Sequence, residues 1–329
     1  MPGTQSVNTV ADTLPPAWRA AGPRVRSVLV TGADGFVGRA VVRFLQQQGH
    51  RVRRVSRQAG VGGAAHTVRL DVGPLTEWGP ALDGIDTVVH LAGCAHRRDA
   101  SGAAVQREMF RVNTEGTRAL ARAARRSGVE TLVFISSIGA AAERSGDDVD
   151  ESVACRPQTI YGRSKLEAEG AIAAERGRMR AVILRPPLVY GRGAPGNFAR
   201  LLHAVQRRWP LPFGAVRNRR SFIFLGNLAD AIAVAIDDDR ADGIFHVADV
   251  HPVSTPEFIR AIASAIDVPV RLWHLPPQWL VPGARLIGIG ETMRKLTESL
   301  PVDISRFRTC VGWNPPWDMQ RALSESLRS

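Results

Sequence analysis

Short apolar runs alternate, in the first half of the chain, with longer stretches whose apolar residues recur every three or four positions. The run SVLVT at 27–31 is rich in valine and is followed by glycine, which predicts a buried parallel strand. The next stretch places Val37, Val41 and Leu45 at helical spacing and ends near Gly49. This pattern predicts an amphipathic helix that packs one face on the strand.

The same alternation continues to about residue 185. Further strands are predicted at 50–56, 67–70, 86–91, 131–136 and 180–184, with helices at 104–126 and 161–175. Strands that alternate with helices form βαβ units. The expected fold class is therefore α/β, with a Rossmann-type doubly wound parallel sheet.

Beyond residue 185 proline and glycine become frequent, and the predicted helices become short. They fall at 197–207, 227–237, 255–265 and 315–327. This half is expected to be a smaller, irregular α/β domain that covers one edge of the sheet. The first residues, 1–24, read as a disordered tail with neither a charged n-region nor an apolar h-region, so no secretory signal is expected.

Composition narrows the class of protein. The chain has 329 residues, of which 44% are hydrophobic, and a net charge of +12. Its arginines are scattered and form no basic block with interleaved aromatic residues, so nucleic acid is not the expected partner. Three widely spaced cysteines fit neither a metal site nor a disulfide framework, which indicates a reduced, cytoplasmic protein.

No apolar run reaches 18 residues, so no membrane span is predicted. One stretch, LPPQWLVPGARLIGIG at 275–290, is apolar enough to raise the question of membrane contact. It is too short to span a bilayer, and the interpretation adopted is a helix packed on the C-terminal domain.

A glycine loop joins the first strand to the first helix. Gly32 permits a tight turn, Gly35 allows a pyrophosphate to approach the backbone, and Gly38 allows the helix to pack closely on the strand. Phe36 and Val37 lie at the helix N-terminus, whose N–H groups favour an anion. The loop follows a buried strand and opens an amphipathic helix, so it predicts a dinucleotide site.

The end of the second strand bears on the choice of dinucleotide. An Asp or Glu there would hydrogen-bond the ribose 2′-OH of NAD, but the sequence reads Ser56-Arg57. A hydroxyl and a guanidinium suit a 2′-phosphate, so NADP is favoured over NAD. The alternative is that Arg57 is one more solvated arginine.

Tyr161 and Lys165 stand one helical turn apart in a chain that contains only two tyrosines and two lysines. Such a pair shares a helix face. A tyrosine there acts as acid or base at a carbonyl or alcohol oxygen, and a nearby ammonium together with an oxidised cofactor lowers its pKa. Ser136 and Ser137 end a predicted strand and offer a hydroxyl that orients the substrate oxygen, with Ser137 preferred.

From about Val25 to its C-terminus the chain resembles the extended short-chain dehydrogenase/reductases, a family of nucleotide-sugar epimerases, dehydratases and ketoreductases. The glycine loop and the Ser, Tyr and Lys set match this family. So do LDV at 70–72, VVHLAG at 88–93, RVNTEGT at 111–117, RPPLVYG at 185–191 and RRSFIFLGNLADAI at 219–232.

The resemblance implies further site residues. The cofactor would contact Asp71, Val72, Leu91, Ala92, Gly93, Asn113, Lys165 and Pro187. Arg220 would bind the diphosphate of the substrate, and Asn197 and Phe213 would lie on the uridine side. The NAD(P)-binding domain would span 25–185 with 219–250 returning to it, and the substrate-binding domain would comprise 186–218 and 251–329. No metal is expected, and the resemblance implies a homodimer formed through helices 104–126 and 161–175.

Departures from the family narrow the chemistry. Dehydratases follow the catalytic Ser/Thr with an Asp-Glu pair, whereas Ile138 and Gly139 follow Ser137. Many epimerases carry asparagine where this chain has Leu188. The expected function is hydride transfer at carbon 4 of a UDP-sugar, as a 4-keto sugar reductase of O-antigen or polysaccharide precursor synthesis. A 4-epimerase with recycled NAD, a non-sugar alcohol dehydrogenase and a nucleotide-sensing binding protein are the alternatives.

Overall fold

The computed structural model describes residues 24–57, 67–94, 102–286 and 290–327. The predicted disordered tail therefore lies outside the described residues, apart from Arg24. The strands are β1 Ser27–Thr31, β2 Arg51–Ser56, β3 Thr67–Arg69, β4 Thr87–His90, β5 Thr131–Ile135, β6 Arg180–Arg185, β7 Leu188–Tyr190, β8 Phe222–Phe224 and β9 Gly243–His246. The α-helices are α1 Phe36–Gln47, α2 Gly79–Leu82, α3 Ala103–Phe110, α4 Thr117–Arg126, α5 Ile160–Glu175, α6 Asn197–Gln206, α7 Leu225–Asp237, α8 Thr255–Ala265, α9 Pro277–Leu286, α10 Gly290–Thr297, α11 Ser305–Val311 and α12 Met319–Leu327.

Seven strands form one parallel sheet in the order β3-β2-β1-β4-β5-β6-β9. The Rossmann-type fold predicted from the sequence is thus confirmed. The pattern missed β9, since the run GIFH is short and follows a loop. The strand order reverses at β1, and a ligand crevice lies outside the carboxyl ends of the strands at such a switch point.

Helices cover both faces of the sheet, which is why its strands are apolar on both sides. One face packs on α1 and α7, with Val41, Leu45 and Ile232 in its core. The other face packs on α2, α4 and α5, with Leu120 and Ile172 in its core. The two layers hold the carboxyl ends of β1, β4, β5 and β6 at one edge.

A third core fills the C-terminal half. It contains several aromatic rings, and Tyr190 contacts both Phe224 and Phe258. The Tyr190 hydroxyl donates to Asp249 at 2.8 Å, so the second tyrosine of the chain is a buried structural residue. The short parallel pair β7 and β8 joins this core to the large sheet.

The helix predicted over 104–126 is interrupted. Between α3 and α4 the backbone forms a π-helical turn, Arg111–Gly116. A Cβ added at Gly116 would lie 2.9 Å from the Val72 side chain, so the turn packs closely on the segment after β3. Wide turns of this kind are frequent at functional sites, and this one carries Asn113.

Candidate functional site

The glycine loop turns directly over the carboxyl end of β1. Gly32 has φ +67°, and a Cβ there would lie 2.7 Å from the Ala92 nitrogen. A Cβ at Gly38 would overlap the Gly32 carbonyl, so α1 approaches the loop as closely as glycine allows. Gly35 is exposed, and α1 begins at Phe36 with Val37 next to it. The loop therefore forms an open cradle at a helix N-terminus, which fits a dinucleotide pyrophosphate.

A carboxylate of the loop reaches the end of β2. Asp34 accepts hydrogen bonds from the Ser56 hydroxyl and from the Arg54 guanidinium, the latter at 2.8 Å. Arg57 is exposed at the last described position before residue 67. Ser56, which the sequence assigns to a 2′-phosphate, is therefore bound to a carboxylate in this structure.

The pair Tyr161 and Lys165 lies on the first two turns of α5. Thr159 caps the helix by accepting from the Gly162 nitrogen at 3.1 Å. A Cβ at Gly162 would overlap the Gly139 carbonyl, so α5 packs directly on the turn that follows β5. This contact brings the tyrosine next to the turn that begins at Ser137.

Lys165 is buried at the carboxyl edge of the sheet. Its Nζ donates to the Ile135 carbonyl at 2.8 Å and lies 4.4 Å from the centre of the Phe134 ring. Burial lowers the pKa of the ammonium to about 8, although the charge of Glu169 acts in the opposite direction. The lysine is therefore largely protonated at pH 7.

Burial raises the pKa of the Tyr161 phenol to about 12. From the sequence, the pKa of Tyr161 is expected to be lowered once an ammonium and an oxidised cofactor are both nearby. In the protein alone the desolvation of the phenol outweighs the effect of its neighbours. A lowered pKa would therefore depend on the positive ring of the cofactor.

The two serines at the end of β5 have different surroundings. The buried Ser136 hydroxyl donates to Glu169 at 2.5 Å. Ser137 is partly exposed, and its hydroxyl oxygen accepts from the Gly139 nitrogen at 3.1 Å, which leaves its proton available to a ligand. The geometry favours Ser137 over Ser136 as the group that orients a substrate oxygen.

Glu169 and Arg185 form a buried ion pair behind this edge. Arg185 donates from Nε at 2.9 Å and from an Nη at 2.6 Å to the two carboxylate oxygens, and both side chains are less than 5% exposed. This pair was not predicted from the sequence. The signal available was the position of Glu169, one turn after Lys165 on the same helix.

The exit of β4 faces the same edge. Leu91, Ala92 and Gly93 follow the strand, and a Cβ at Gly93 would lie 3.5 Å from the Lys165 Nζ. The buried Asn113 amide donates to the Cys94 carbonyl at 3.1 Å and accepts from the Cys94 nitrogen at 2.7 Å. Asn113 thereby fixes the strand exit next to Lys165.

The remaining cofactor candidates lie around this edge. Val72 is buried under the sheet, whereas the Asp71 carboxylate is exposed 3.7 Å from an Arg111 Nη atom. Pro187 is buried just after β6, and the neighbouring Pro186 carbonyl accepts from the Ile138 nitrogen at 2.9 Å. The segments that follow β5 and β6 are thus linked by a main-chain hydrogen bond.

The substrate candidates are not equivalent. Asn197 begins α6 and is partly exposed. The Phe213 ring is 4% exposed and packs in the C-terminal core, so its side chain is enclosed and does not present a face to a base. The position of Phe213 on the uridine side, which the sequence predicts without specifying a ring contact, stays a prediction.

Arg220 lies where the C-terminal half meets the sheet. It donates to the Glu298 carbonyl at 3.2 Å and is within electrostatic range of the Glu298 and Glu143 carboxylates. Burial lowers the pKa of its guanidinium to about 10 despite these two acids. The site thus holds a desolvated cation that a polyanionic ligand would stabilise.

The described part of the chain shows neither a metal-binding cluster nor a membrane-spanning helix. It contains no cluster of three or more His, Cys, Asp or Glu side chains arranged to hold a metal ion. Within the same residues, no helix has the length and apolar content needed to cross a bilayer.

Comparison with known families gives one match that covers most of the chain. The family model described as "NAD dependent epimerase/dehydratase family" matches residues 28–248. The matched segment includes the glycine loop, the Tyr161 and Lys165 pair and Arg220. It ends just after β9, where the large sheet is complete.

Two curated relatives cover nearly the whole chain. A Vibrio cholerae protein named UDP-glucose 4-epimerase is 36% identical over 321 residues, which cover 92% of this chain and 95% of the relative. A Mycobacterium tuberculosis protein named 3 beta-hydroxysteroid dehydrogenase/Delta 5-->4-isomerase is 28% identical and covers 91% of this chain and 89% of its own.

Solved structures share the fold. The Bordetella bronchiseptica enzyme WbmG in complex with NAD and UDP superposes with a TM-score of 0.72 at 19% identity, over 92% of this chain and 94% of that one. Human epimerase family protein SDR39U1 with NADPH gives a TM-score of 0.75 at 20% identity, over 91% and 98%. Structures with this fold therefore hold either NAD or NADPH.

Proposed function

The chain belongs to the NAD dependent epimerase/dehydratase family of enzymes, and we propose that it transfers hydride at carbon 4 of a UDP-sugar. The observation that carries this proposal is the convergence of Tyr161, Lys165 and Ser137 beside the cradle of the glycine loop. The identity of 36% to a protein named UDP-glucose 4-epimerase supports the class of substrate.

Tyr161 would exchange the proton of the reacting oxygen. Oxidation of a carbon-4 hydroxyl needs a base that takes its proton, and reduction of a carbon-4 ketone needs an acid that returns one. When bound, the nicotinamide cofactor supplies or accepts the hydride. Ser137 would donate to the same oxygen and hold it within reach of the phenol.

Lys165 would provide the positive charge that the phenol requires. Its ammonium is buried and held by the Ile135 carbonyl, so it cannot move into solvent. Its pKa of about 8 keeps it charged at pH 7. Next to Gly93, it would also bind the hydroxyl groups of the nicotinamide ribose, while Gly32, Gly35 and Gly38 hold the pyrophosphate.

Arg220 would anchor the substrate diphosphate. Two phosphate groups would replace the water that this half-buried guanidinium has lost, and charge-assisted hydrogen bonds of this kind are strong. Asn197 would lie toward the nucleoside.

For the cofactor, we place NAD ahead of NADP because of Asp34. The sequence lacks an acid after β2, but the Asp34 carboxylate lies against Ser56 at the end of that strand. A carboxylate there accepts a hydrogen bond from a ribose 2′-OH and repels a 2′-phosphate. The positive charges of Arg54 and Arg57 would attract a 2′-phosphate, so NADP is kept as the second candidate.

This choice bears on the reaction. An NAD-preferring enzyme that regenerates its cofactor during each turnover would be a 4-epimerase, whereas an NADPH-consuming enzyme would be a 4-keto sugar reductase. We therefore propose 4-epimerase first and reductase second. Hydride must return to the opposite face in an epimerase, so the sugar would turn while Arg220 holds the diphosphate.

The catalytic assignment is tested with Tyr161→Phe. Turnover of UDP-glucose or UDP-N-acetylglucosamine, followed by NMR of the product, should fall at least about 100-fold, because the proton donor is lost. Cofactor affinity should change little. The matched control is Tyr190→Phe, which removes the other phenol from the aromatic core and should keep turnover per folded molecule. Equal losses in both variants would contradict the assignment.

The cofactor assignment is tested by binding of NAD and NADP to the same preparations. Wild type should bind NAD at least about tenfold more tightly than NADP, because like charges repel at the 2′ position. Asp34→Asn should reduce that ratio, whereas the exposed control Asp83→Asn should not. A wild-type preference for NADP, or NADPH consumed with a 4-keto sugar, would establish the reductase instead.

The assembly and the compartment belong to the same proposal. We place a homodimer interface on α3, α4 and α5, where Phe110 is partly exposed beside an open groove lined by Gln106 and Arg107. The nucleotide-sugar substrate implies a cytoplasmic enzyme. Analytical ultracentrifugation of wild type and Phe110→Asp tests the interface, because a charge there would dissociate the dimer.

A further inference from the structure

One surface of the C-terminal half exposes several large apolar side chains together. Trp209, Trp273 and Trp279 are 55%, 60% and 71% exposed, and Leu275 is 41% exposed. The other described tryptophans, Trp78, Trp313 and Trp317, are each no more than 3% exposed. Indole rings carry large apolar area and are normally buried, so three exposed ones on one surface indicate an interaction site.

Main-chain pairing brings the two segments of this surface together. Leu211 donates to the Arg271 carbonyl at 2.9 Å, and Trp273 donates to the Leu211 carbonyl at 2.9 Å. Leu211 and Leu272 face inward, so Arg271 and Trp273 on either side of Leu272 point outward. Trp209 stands two residues before Leu211. We call the exposed residues Arg207, Arg208, Trp209, Arg271, Trp273, Leu275 and Trp279 the tryptophan patch.

The charges of the patch have one sign. Arg207, Arg208 and Arg271 are all exposed, and neither 203–210 nor 268–279 contains an acidic residue. Arginine side chains lie along apolar surface and hold their charge at its rim. The patch therefore combines apolar indoles with cations, and the nearest acidic residue along these segments is the exposed Asp267, four positions before Arg271.

We propose that the tryptophan patch docks the enzyme on the surface of an anionic lipid bilayer. Tryptophan is the side chain that prefers the membrane–water interface, and arginines beside it are attracted to anionic headgroups. Several shallowly inserted apolar residues with surrounding cations bind a membrane reversibly and need no spanning helix. This revises the sequence-based interpretation of the apolar stretch 275–290, whose first residues face outward at Leu275 and Trp279.

Two other occupants fit less well. A twofold dimer through this patch would bring Arg207, Arg208 and Arg271 of one copy toward the same arginines of the other. Single-stranded nucleic acid would use stacked indoles, but Leu275 and the exposed Pro276 add aliphatic surface that does not stack on bases.

The patch adjoins the side of the protein where the substrate would bind. The Gly214 nitrogen donates to the Trp273 carbonyl at 2.8 Å, so the segment 211–214 is hydrogen-bonded to the segment 271–273 of the patch. Docking would hold the C-terminal half of the protein close to the lipid. The proposal does not depend on the proposed function, because lipid binding is measured without substrate.

The test is co-sedimentation of the full chain with two kinds of vesicle. One contains phosphatidylcholine alone, and the other contains phosphatidylcholine with about one third phosphatidylglycerol. The protein should bind the anionic vesicles, with a blue shift of its tryptophan fluorescence. The double variant Trp273→Ser with Trp279→Ser should bind at least about tenfold more weakly, because two indoles no longer insert. Arg207→Gln with Arg208→Gln should weaken binding and reduce its dependence on salt.

Controls separate the patch from general effects. Leu75→Ser removes an exposed apolar side chain (92% exposed) from the first half of the chain and should leave vesicle binding unchanged. All replaced residues are on the surface, so thermal melting should match wild type. Absence of binding to anionic vesicles, or equal binding by the double tryptophan variant, would overturn the proposal. The proposal would also be overturned if the protein dimerised without lipid and the double tryptophan variant were monomeric. Tighter binding of single-stranded oligonucleotides than of vesicles through the same residues would overturn it as well.

Discussion

Two desolvated arginines border the predicted cleft, and their surroundings differ. Arg185 is buried at the end of β6 and donates two hydrogen bonds to Glu169. Burial opposes its charge, but the hydrogen bonds and the charge of Glu169 outweigh burial, and the pKa of Arg185 is raised. Arg220 donates to a main-chain carbonyl, and burial lowers its pKa to about 10.

The difference separates an arginine that completes the fold from one suited to a ligand. Arg185 already has a carboxylate in bidentate geometry, so a second anion would have to displace Glu169. Arg220 has two acids within electrostatic range, and they do not offset the loss of water from its guanidinium. A polyanion such as a diphosphate would be stabilised at Arg220 and not at Arg185.

The largest expected effect is on stability. Arg185→Leu leaves the Glu169 carboxylate buried without its partner, and breaking a buried pair in this way costs about 3–5 kcal/mol of unfolding free energy. Arg220→Leu removes a desolvated cation that has no bidentate partner, so it should change that free energy by less than about 1 kcal/mol. Urea denaturation of both variants with wild type measures the contrast. Equal losses would show that Arg220 is as structural as Arg185.

Much of this comparison could not be predicted from the sequence. The six strands of the predicted sheet were recognisable because each is a short run that contains β-branched or other apolar residues, and the fold followed from their alternation with helices. Glu169 and Arg185 are paired across a helix and a strand, and no local pattern specifies that contact. The same holds for Asp34, whose contact with Ser56 depends on how the glycine loop folds over β2.

The choice between Ser136 and Ser137 shows the limit most directly. Adjacent residues at the end of a strand point to opposite faces, and the sequence alone does not say which of the two hydroxyls is buried. The structure buries Ser136 against Glu169 of α5 and leaves Ser137 partly exposed at the turn after β5. Phe213 illustrates the same limit, because its motif suggested a position on the uridine side and could not show that its ring packs in the C-terminal core.

An intermediate effect is expected on substrate affinity. Arg220→Gln should raise the KM for the UDP-sugar by about 10- to 100-fold, since a charge-assisted hydrogen bond contributes about 1.5–3 kcal/mol. Arg219→Gln is the matched control, because Arg219 is the exposed neighbour and pairs with Asp148 on the surface. Steady-state kinetics with the UDP-sugar should show an unchanged KM for that control. Affinity for the cofactor should be the same in all three proteins, and a KM unaffected by Arg220→Gln would remove the diphosphate assignment.

The smallest expected effect is a shift in pH dependence. Glu169 raises the pKa of Lys165 against the stronger lowering by burial, which leaves that pKa at about 8. A lysine acts here in its charged form, so activity should fall as pH rises through this value. Glu169→Gln removes the opposing charge while its amide still accepts from Arg185, and the alkaline limb should move to lower pH by up to about one unit. Glu167→Gln, an exposed change on the same helix, should leave the limb in place. Profiles of kcat against pH for wild type and the two variants distinguish a shift in the Lys165 pKa from a structural loss. A structural loss would lower kcat at every pH without moving the limb.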